Sequence, residues 1–378
     1  MAIDYDIVRY EPAMKKQVVE LQRNLWSSDV SLNESYFEWK HERNPYQDKP
    51  LVYLAMLDGE AVGMRSFFAV NWESGIPAQR SVCLYADDAV IAPEHRNRGL
   101  MQRIMAQAFE DLSESQYEYV FNLSAGPTTM LHSLSMGWRS AGSFKPLQRV
   151  PWPTTLRKMA KRLPGTASLV GRFRTLRKPR NPPALLNTRL FQAGDGARIS
   201  PHITFRHRPL IQAMADLVRR LPYSGRIRHE RTEEYLSWRF QNPLSRYGFL
   251  FWEGGQLEGY LVLHEHSSDS ANSRPPSIVD WEASDSRIRS QLLLAALRVS
   301  GRRALSIWST SVEDDTMKLL DQHRFRDQTG ELGWSSQGPA LLVRSLRGEH
   351  TRENWLLGDR RLTDPNSWDI RQLYSMAG

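Results

Sequence analysis

Asp87-Asp88-Ala89-Val90-Ile91-Ala92-Pro93-Glu94-His95-Arg96-Asn97-Arg98-Gly99-Leu100-Met101 reads as a strand that ends at a proline, passes through a tight arginine-bearing loop and enters a helix. A helix start with free amides is a ready anion site. Gly99 lets the backbone approach a pyrophosphate closely, successive N–H groups of the Arg96 to Met101 loop can form a nest, and the helix dipole favours negative charge. Arg96, Arg98 and Arg103 add positive charge around it.

Working outward from this stretch, the order of elements is mixed α/β. Upstream, Ile7 to Tyr10 predicts a short strand, and Pro12 to Leu25 a helix with Val18, Val19, Leu21 and Leu25 on one side. A second helix is expected after an Asn33 cap; it carries Tyr36, Phe37 and Trp39 and stops before Asn44-Pro45. Leu51 to Leu57, the turn Asp58-Gly59, and Ala61 to Asn71 form a hairpin signal, followed by a long strand from about Arg80 to Ala92. Downstream, a helix over Leu100 to Leu112, a strand over Tyr117 to Leu123, a helix over Thr128 to Met136, and a strand after Gly137-Trp138 complete the unit.

The rest of the chain echoes this plan. Tyr36-Phe37-Glu38-Trp39-Lys40, ending in Asn44-Pro45, corresponds to Tyr235-Leu236-Ser237-Trp238-Arg239, ending in Asn242-Pro243. Strands at Phe249 to Trp252 and Leu257 to His264 flank Gly254-Gly255. Ile278 to Ala283, Ile288 to Ser300, Ala304 to Trp308 and Val312 to His323 repeat the strand, helix, strand, helix order. A chain of 378 residues is long for one core, so two domains are the natural division. The expected boundaries are 1–148, a basic proline-bearing connector at 149–200, and 201–378. Trp39 and Trp238, at equivalent helical positions, read as core anchors.

The formal charge of +8 is local. From Tyr119 to Ala193 there is no Asp or Glu but thirteen Lys and Arg, and removing them leaves the remainder net acidic. With no nucleic-acid reading motif beside that charge, nucleic acid is not an expected partner. The basic segment fits an anionic or nucleotide-linked acceptor, a peripheral membrane contact through the 149–180 stretch, or a solvated connector. The N-terminus lacks an apolar leader pattern, and apolar runs such as Leu292 to Leu297 are too short to cross a bilayer, so a soluble, cytoplasmic protein is expected. The single cysteine, Cys83, reads as a buried core thiol, and His264 and His266 around Glu265 lack metalloprotease spacing; no metal site is expected.

Arg96-Asn97-Arg98-Gly99-Leu100-Met101 resembles the Arg/Gln-x-x-Gly-x-Gly/Ala signature of the GNAT superfamily of acyl-CoA-dependent N-acetyltransferases, with Met101 in place of the small last residue. The resemblance covers roughly residues 5 to 145 with the motif and 230 to 345 as a weaker copy. It implies an α/β (α+β, mixed-sheet) fold class with two GNAT-like domains in tandem, the second degenerate. The Trp39-Lys40 to Asn44-Pro45 pattern and Asp88 before Pro93 look like GNAT-like proteins of bacterial polysaccharide or amino-sugar pathways.

The resemblance further implies acetyl-CoA, or another acyl-CoA, as co-substrate. Val90, Ile91 and Ala92 would hold its pantetheine arm, and Arg96, Asn97, Arg98, Gly99, Leu100, Met101 and Arg103 its pyrophosphate. A backbone N–H near Val90 or Ile91 would be the oxyanion donor. Asp87 and Asp88 project to opposite faces of a strand, so at most one faces the acceptor. Asp88 is the expected base, with a structural carboxylate at a bulge as the alternative. The superfamily often places its thiolate-protonating Tyr four residues before the Gly of the last helix-strand turn. Here that position is Ser133, which leaves Ser133, His132 or Tyr85 as substitutes, or departure of the thiolate without a protein acid.

The second copy, Asp280-Trp281-Glu282-Ala283-Ser284-Asp285-Ser286-Arg287, has no Gly and its acids repel phosphate, so it is expected to bind no CoA and to complete the acceptor cleft. The functional expectation is N-acetyl transfer to a small-molecule amine, an amino sugar or related precursor. The alternatives are a protein or peptide Lys N-acetyltransferase and a noncatalytic CoA-binding scaffold.

Overall fold

The computed structural model describes residues 3–149, 193–266, 275–301, 303–327, 340–347 and 355–375. The basic connector, apart from its two ends, lies outside the described residues.

The chain opens with β1 (Asp6–Arg9), then α1 (Lys15–Leu21), which is flanked by 3-10 turns at Pro12–Met14 and Gln22–Asn24. The expected single helix is therefore three short pieces. Proline at the first turn loses no helical hydrogen bond, which suits it to that start. In α2 (Val30–Phe37) the structure corrects the expected cap: the Asp29 carboxylate accepts the amides of Ser31 (2.9 Å) and Leu32 (3.4 Å). Asn33 instead lies buried inside the helix, its side-chain amide donating to the Ser27 carbonyl at 2.8 Å. A π turn, Glu38–Glu42, continues α2 and buries Trp39, Lys40 and His41.

The first half proceeds through β2 (Leu51–Leu57), β3 (Glu60–Ser74), β4 (Gln79–Ile91), α3 (Leu100–Ser113), β5 (Tyr119–Ala125), α4 (Pro127–Ser135), β6 (Arg139–Ser143) and β7 (Pro146–Arg149). The β2–β3 hairpin turns at Asp58-Gly59, both with positive φ as a two-residue hairpin of matching twist demands. The second half contains β8 (Ala197–Ser200), β9 (Ile203–Arg206), α5 (Ile211–Arg220), β10 (Arg228–His229), α6 (Glu233–Arg239), β11 (Ser245–Glu253), β12 (Leu257–His266), β13 (Ser277–Ala283), α7 (Ser286–Ser300), β14 (Leu305–Trp308), α8 (Asp314–Gln322), β15 (Arg326–Asp327) and β16 (Ala340–Ser345).

From α1 through β7 each element has a counterpart, in order, from α5 through β16, apart from the short β10. The two sheets run β1-β2-β3-β4-β5-β16-β6, with β10 on the end of β3, and β15-β7-β14-β13-β12-β11-β9-β8. The last strand of each half is thus inserted into the other half's sheet, β16 between β5 and β6 and β7 between β14 and β15. Boundaries drawn at 148 and 201 divide the chain but not its sheets.

One face of each sheet is covered by its own helix. Ile104, Met105, Ala108 and Leu112 of α3 pack on Phe67, Ala69, Leu84 and Ala86, while Ile288, Leu292 and Ala296 of α7 pack on Leu250, Leu261 and Trp281. The opposite faces share one core built from both halves. At its centre Trp39 and Trp238 stack 5.0 Å apart, and each indole N–H donates to the other's carbonyl, at 2.6 and 2.9 Å. The residues 355–375 brace this interface. Ser74 and Tyr119 donate to the carbonyls of Leu357 (2.9 Å) and Leu356 (2.7 Å), and Arg239 donates to those of Leu373 (2.8 Å) and Ser375 (2.9 Å).

Candidate functional site

β4 and β5 run parallel and pair only at Leu84 with Val120 and Tyr85 with Phe121. Beyond that point β4 continues to Ile91 while β5 pairs on its other edge with β16, so the two strands part and leave an edge of β4 open. A bulge sits where they part: Ser66 opposes Asp87 and Met64 opposes Val90, which sets Asp88 and Ala89 against Arg65 alone. Asp88 takes a left-handed φ of 47°, a conformation an L residue holds only when its surroundings insist.

Those surroundings are polar contacts to a buried carboxylate. Asp88 accepts from Trp26 Nε1 (2.8 Å), Ser66 Oγ (3.0 Å) and Gln22 Nε2 (3.3 Å), pairs with Lys40 Nζ (3.0 Å), and lies 3.7 Å from His41 Nε2. Lys40 also reaches Asp87 at 2.7 Å. Burial alone would raise the Asp88 carboxyl, but Lys40 and His41 outweigh it and hold the group well below the usual carboxylate range. Burial lowers the pKa of His41 and of the neighbouring Arg65.

The loop after β4 builds the cradle. Pro93–His95 forms a 3-10 turn, tied down by a 2.9 Å hydrogen bond between Tyr5 Oη and His95 Nδ1. Asn97 and Gly99 are both left-handed, at φ 61° and 71°, and α3 starts with Gly99 as its cap residue and no side-chain cap among the described residues. Its first amides are therefore uncommitted. A Cβ on Gly99 would meet nothing within 4 Å, so the helix start opens on free space. Arg96, Arg98 and Arg103 are exposed; their guanidinium groups donate to the carbonyls of Ile91 (3.1 Å), Glu94 (3.1 Å) and Tyr5 (2.6 Å). The fit to a pyrophosphate rests on this uncapped, unfilled helix start.

Residues 16–130 match the model of the acetyltransferase (GNAT) family. The fold is that of two GNAT-like domains in tandem. A GCN5-related N-acetyltransferase from Anabaena variabilis is similar over 91% of this chain and 73% of its own, at 14% identity and a TM-score of 0.55. A probable N-acyltransferase from Enterococcus faecalis is similar over the same shares at 10% identity and 0.53. A tandem GNAT protein from the clavulanic acid biosynthesis pathway covers 92% of this chain and 100% of its own, at 12% identity and 0.51. At these identities the likeness is one of fold. No curated protein matches the chain.

Within this GNAT fold the expected site residues fall into separate groups. Val90 through Met101 follow one another along the end of β4, the Pro93–His95 turn and the start of α3. The backbone assigns the open side of that strand end: Ala92 donates to Val62 across the hairpin at 2.8 Å, so by antiparallel alternation Val90 also faces β3, while Ile91 turns its N–H and carbonyl outward, the carbonyl accepting from Arg96 Nε at 3.1 Å. Of the two candidate oxyanion donors, Ile91 is the one on the open side.

The expected catalytic side chains come from two elements, Tyr85, Asp87 and Asp88 from β4 and His132 and Ser133 from α4. Asp88 is buried and engaged by Trp26, Ser66, Gln22 and Lys40, the arrangement expected of a structural carboxylate at the bulge. Asp87 retains 13% side-chain exposure against 0% for Asp88. Tyr85 is buried, stacked 5.0 Å from Phe68, with its hydroxyl unpartnered among the described residues and its pKa pushed well up by burial. Ser133 is buried on α4 and His132 beside it is exposed. Among the described residues no hydrogen bond joins Tyr85, His132 or Ser133 to either aspartate.

The sequence reading missed Lys40, Trp26 and Gln22 as partners of the aspartates. The only signal was a lysine on the buried face of the helix that also carries Tyr36 and Trp39. Cys83 is fully buried as expected, with its thiol pushed up by burial.

The second half carries the same divergence without the cradle. β13 and β14 pair only at Ser277 with Ser306 and Ile278 with Ile307. The start of α7 is capped by Asp285, whose carboxylate accepts the Ile288 amide at 2.7 Å. The backbone of Trp281 is committed as well, its N–H to Asp280 Oδ1 (3.0 Å) and its carbonyl to Arg371 Nη1 (2.9 Å). A carboxylate occupies the place where a phosphate would need free amides.

Proposed function

We propose that this protein is an acyl-CoA-dependent N-acyltransferase that carries acetyl groups from acetyl-CoA to the amine of a small molecule, an amino sugar or related precursor. The observation that carries the reading is the open edge of β4 leading to an α3 without a side-chain cap, whose cap residue Gly99 faces free space. The amides of Gly99 to Met101 would hold the pyrophosphate, with Arg96, Arg98 and Arg103 supplying charge around it. The pantetheine arm would lie along the open edge of β4, and the outward N–H of Ile91 would stabilise the oxyanion, while its carbonyl is held by Arg96.

Bound acyl-CoA supplies an activated thioester. The chain's own residues hold it, exclude water and receive the proton of the attacking amine. Asp87, bonded to Lys40 at 2.7 Å like its neighbour but the more accessible carboxylate of the pair, is the residue we assign to that proton. A thiolate is weakly basic and leaves without a dedicated acid, which suits a site where Ser133 stands in the position usual for Tyr. The second half, with its helix start already capped by Asp285, acts as a structural partner.

Calorimetric titration of acetyl-CoA into the wild type and Gly99→Glu tests the assignment, because a side chain at position 99 projects into free space and blocks the cradle; its left-handed φ of 71° strains any residue but glycine, so the variant's fold is checked by circular dichroism. The expected outcome is saturable binding by the wild type that the variant loses with its fold intact. No binding by folded wild type would sink the acyl-CoA reading. Binding without thiol release across a screen of amines and Lys peptides would leave a noncatalytic CoA-binding protein, and release with peptides alone would reassign the acceptor.

A further inference from the structure

The second half encloses a cavity of about 320 Å³ where β13 and β14 part. That volume falls at the low end of small-molecule sites. Its charged wall is mostly self-satisfied. Asp280 is bound by Arg231 (3.0 Å) and Arg371 (2.9 Å), and Glu282 by the same two arginines (2.6 and 2.8 Å). Arg228 is bound by Glu73 at 2.6 Å. Residues 369–372 close one side, with the Ile370 amide donating to Ser311 Oγ at 2.8 Å.

The cation left over is Arg289. It lines the cavity half-buried, its guanidinium 5.5 Å from the ring centroid of Trp281 and without a hydrogen-bond or ion-pair partner for that guanidinium among the described residues. Burial pulls its pKa down, as does the charge of Arg371, while Glu282, Glu313 and Asp369 act in the opposite sense. Arg226, with one long hydrogen bond of 3.4 Å to the Ser311 carbonyl, adds a second cation, while Ile278, Trp308 and Val312 offer an apolar wall.

We propose that this cavity binds a small molecule with a carboxylate on a compact apolar body, the carboxylate meeting Arg289 and the body lying against Trp308 and Val312. The site is separate from the CoA cradle. Arg228 ties it to Glu73 at the far end of β3, whereas Gly63 and Met64 sit beside the cradle strand. Ten residues of strand at roughly 3.3 Å each put about 30 Å between them. The occupant is therefore neither acyl-CoA nor the amine it acylates.

3-Phenylpropionate is the probe, with the neutral 3-phenylpropanamide as its control, titrated calorimetrically into the full chain. The acid is expected to bind saturably to the wild type and to Gly99→Glu alike. Arg289→Ala should weaken it at least ~10-fold, as loss of a charge-assisted hydrogen bond does, with Arg289→Lys restoring part of the loss. Val312→Trp, which fills the cavity and leaves the charge, should also abolish binding. The proposal is overturned by no saturable binding to folded wild type at millimolar acid. It is equally overturned by the amide binding as well as the acid, or by binding that survives Arg289→Ala yet is lost in Gly99→Glu.

Discussion

Lys40 carries more of the first half's architecture than its place in a helical pattern indicates. Its ammonium is fully buried between Asp87 and Asp88 and lies 5.2 to 5.9 Å from the ring centroids of Tyr36, Phe68 and Trp26. Removing one partner of a buried pair leaves the other charge uncompensated at a cost of about 3–5 kcal/mol. Lys40→Met is therefore expected to lose that much in urea unfolding at pH 7, and a loss below ~1 kcal/mol would show that water reaches Asp88. The pair also has a pH signature. Asp88's folded pKa lies below its unfolded value of about 3.9, so the stability it contributes is complete above that pH and is lost as pH falls toward the depressed folded value. In Lys40→Met the dominant downward influence is gone, and the acid limb of its stability profile should be shallower than the wild type's.

At the scale of elements, the two halves solve one packing problem in the same way and one binding problem in opposite ways. Gly63 on β3 and Gly259 on β12 both let the following helix and strand approach closely. A Cβ at Gly63 would crowd Ile91 Cδ1, the far end of a flexible side chain. At Gly259 it would lie 2.6 Å from the branched Ile288 Cγ2 and 3.2 Å from the Glu282 carbonyl, neither of which yields readily. Gly259→Ala is thus expected to cost about 1–3 kcal/mol, as overpacking does, and more than Gly63→Ala; thermal melts of the two variants decide it, and the reverse order would refute the packing argument. The helix starts diverge because α3 begins at a left-handed glycine with free amides while α7 begins at an aspartate that consumes one.

At the scale of the molecule, the exchange of β7 and β16 makes each half's sheet depend on the other half's strand. The Trp39–Trp238 pair and the shared core between the sheets add to that dependence. Far-UV circular dichroism and tryptophan fluorescence should report one coincident unfolding transition, with no stable intermediate in which one half persists. Two resolved transitions would mean that each sheet survives the loss of its exchanged strand.

Much of this was legible in the sequence. Strand and helix periods, the Asp58-Gly59 turn, the duplicated Trp-containing helices and the Gly99 loop are local patterns, and local sterics and hydrogen bonding suffice to produce them. The missing glycine and added acids at residues 280 to 287 likewise announced a second helix start without a cradle. Tertiary structure decided what depends on neighbours distant in sequence. The strand exchange is invisible because β7 and β16 pair with edges more than a hundred residues away, and either partner sheet offers the same backbone hydrogen bonds. Asp88 reads as a free carboxylate until Gln22, Trp26 and Lys40 fold over it, and only the antiparallel register turns Ile91, rather than Val90, toward the open edge. The chain's own pattern determines which elements form, whereas the charge state and direction of a side chain are set by the dielectric and the partners that the assembled fold brings around it.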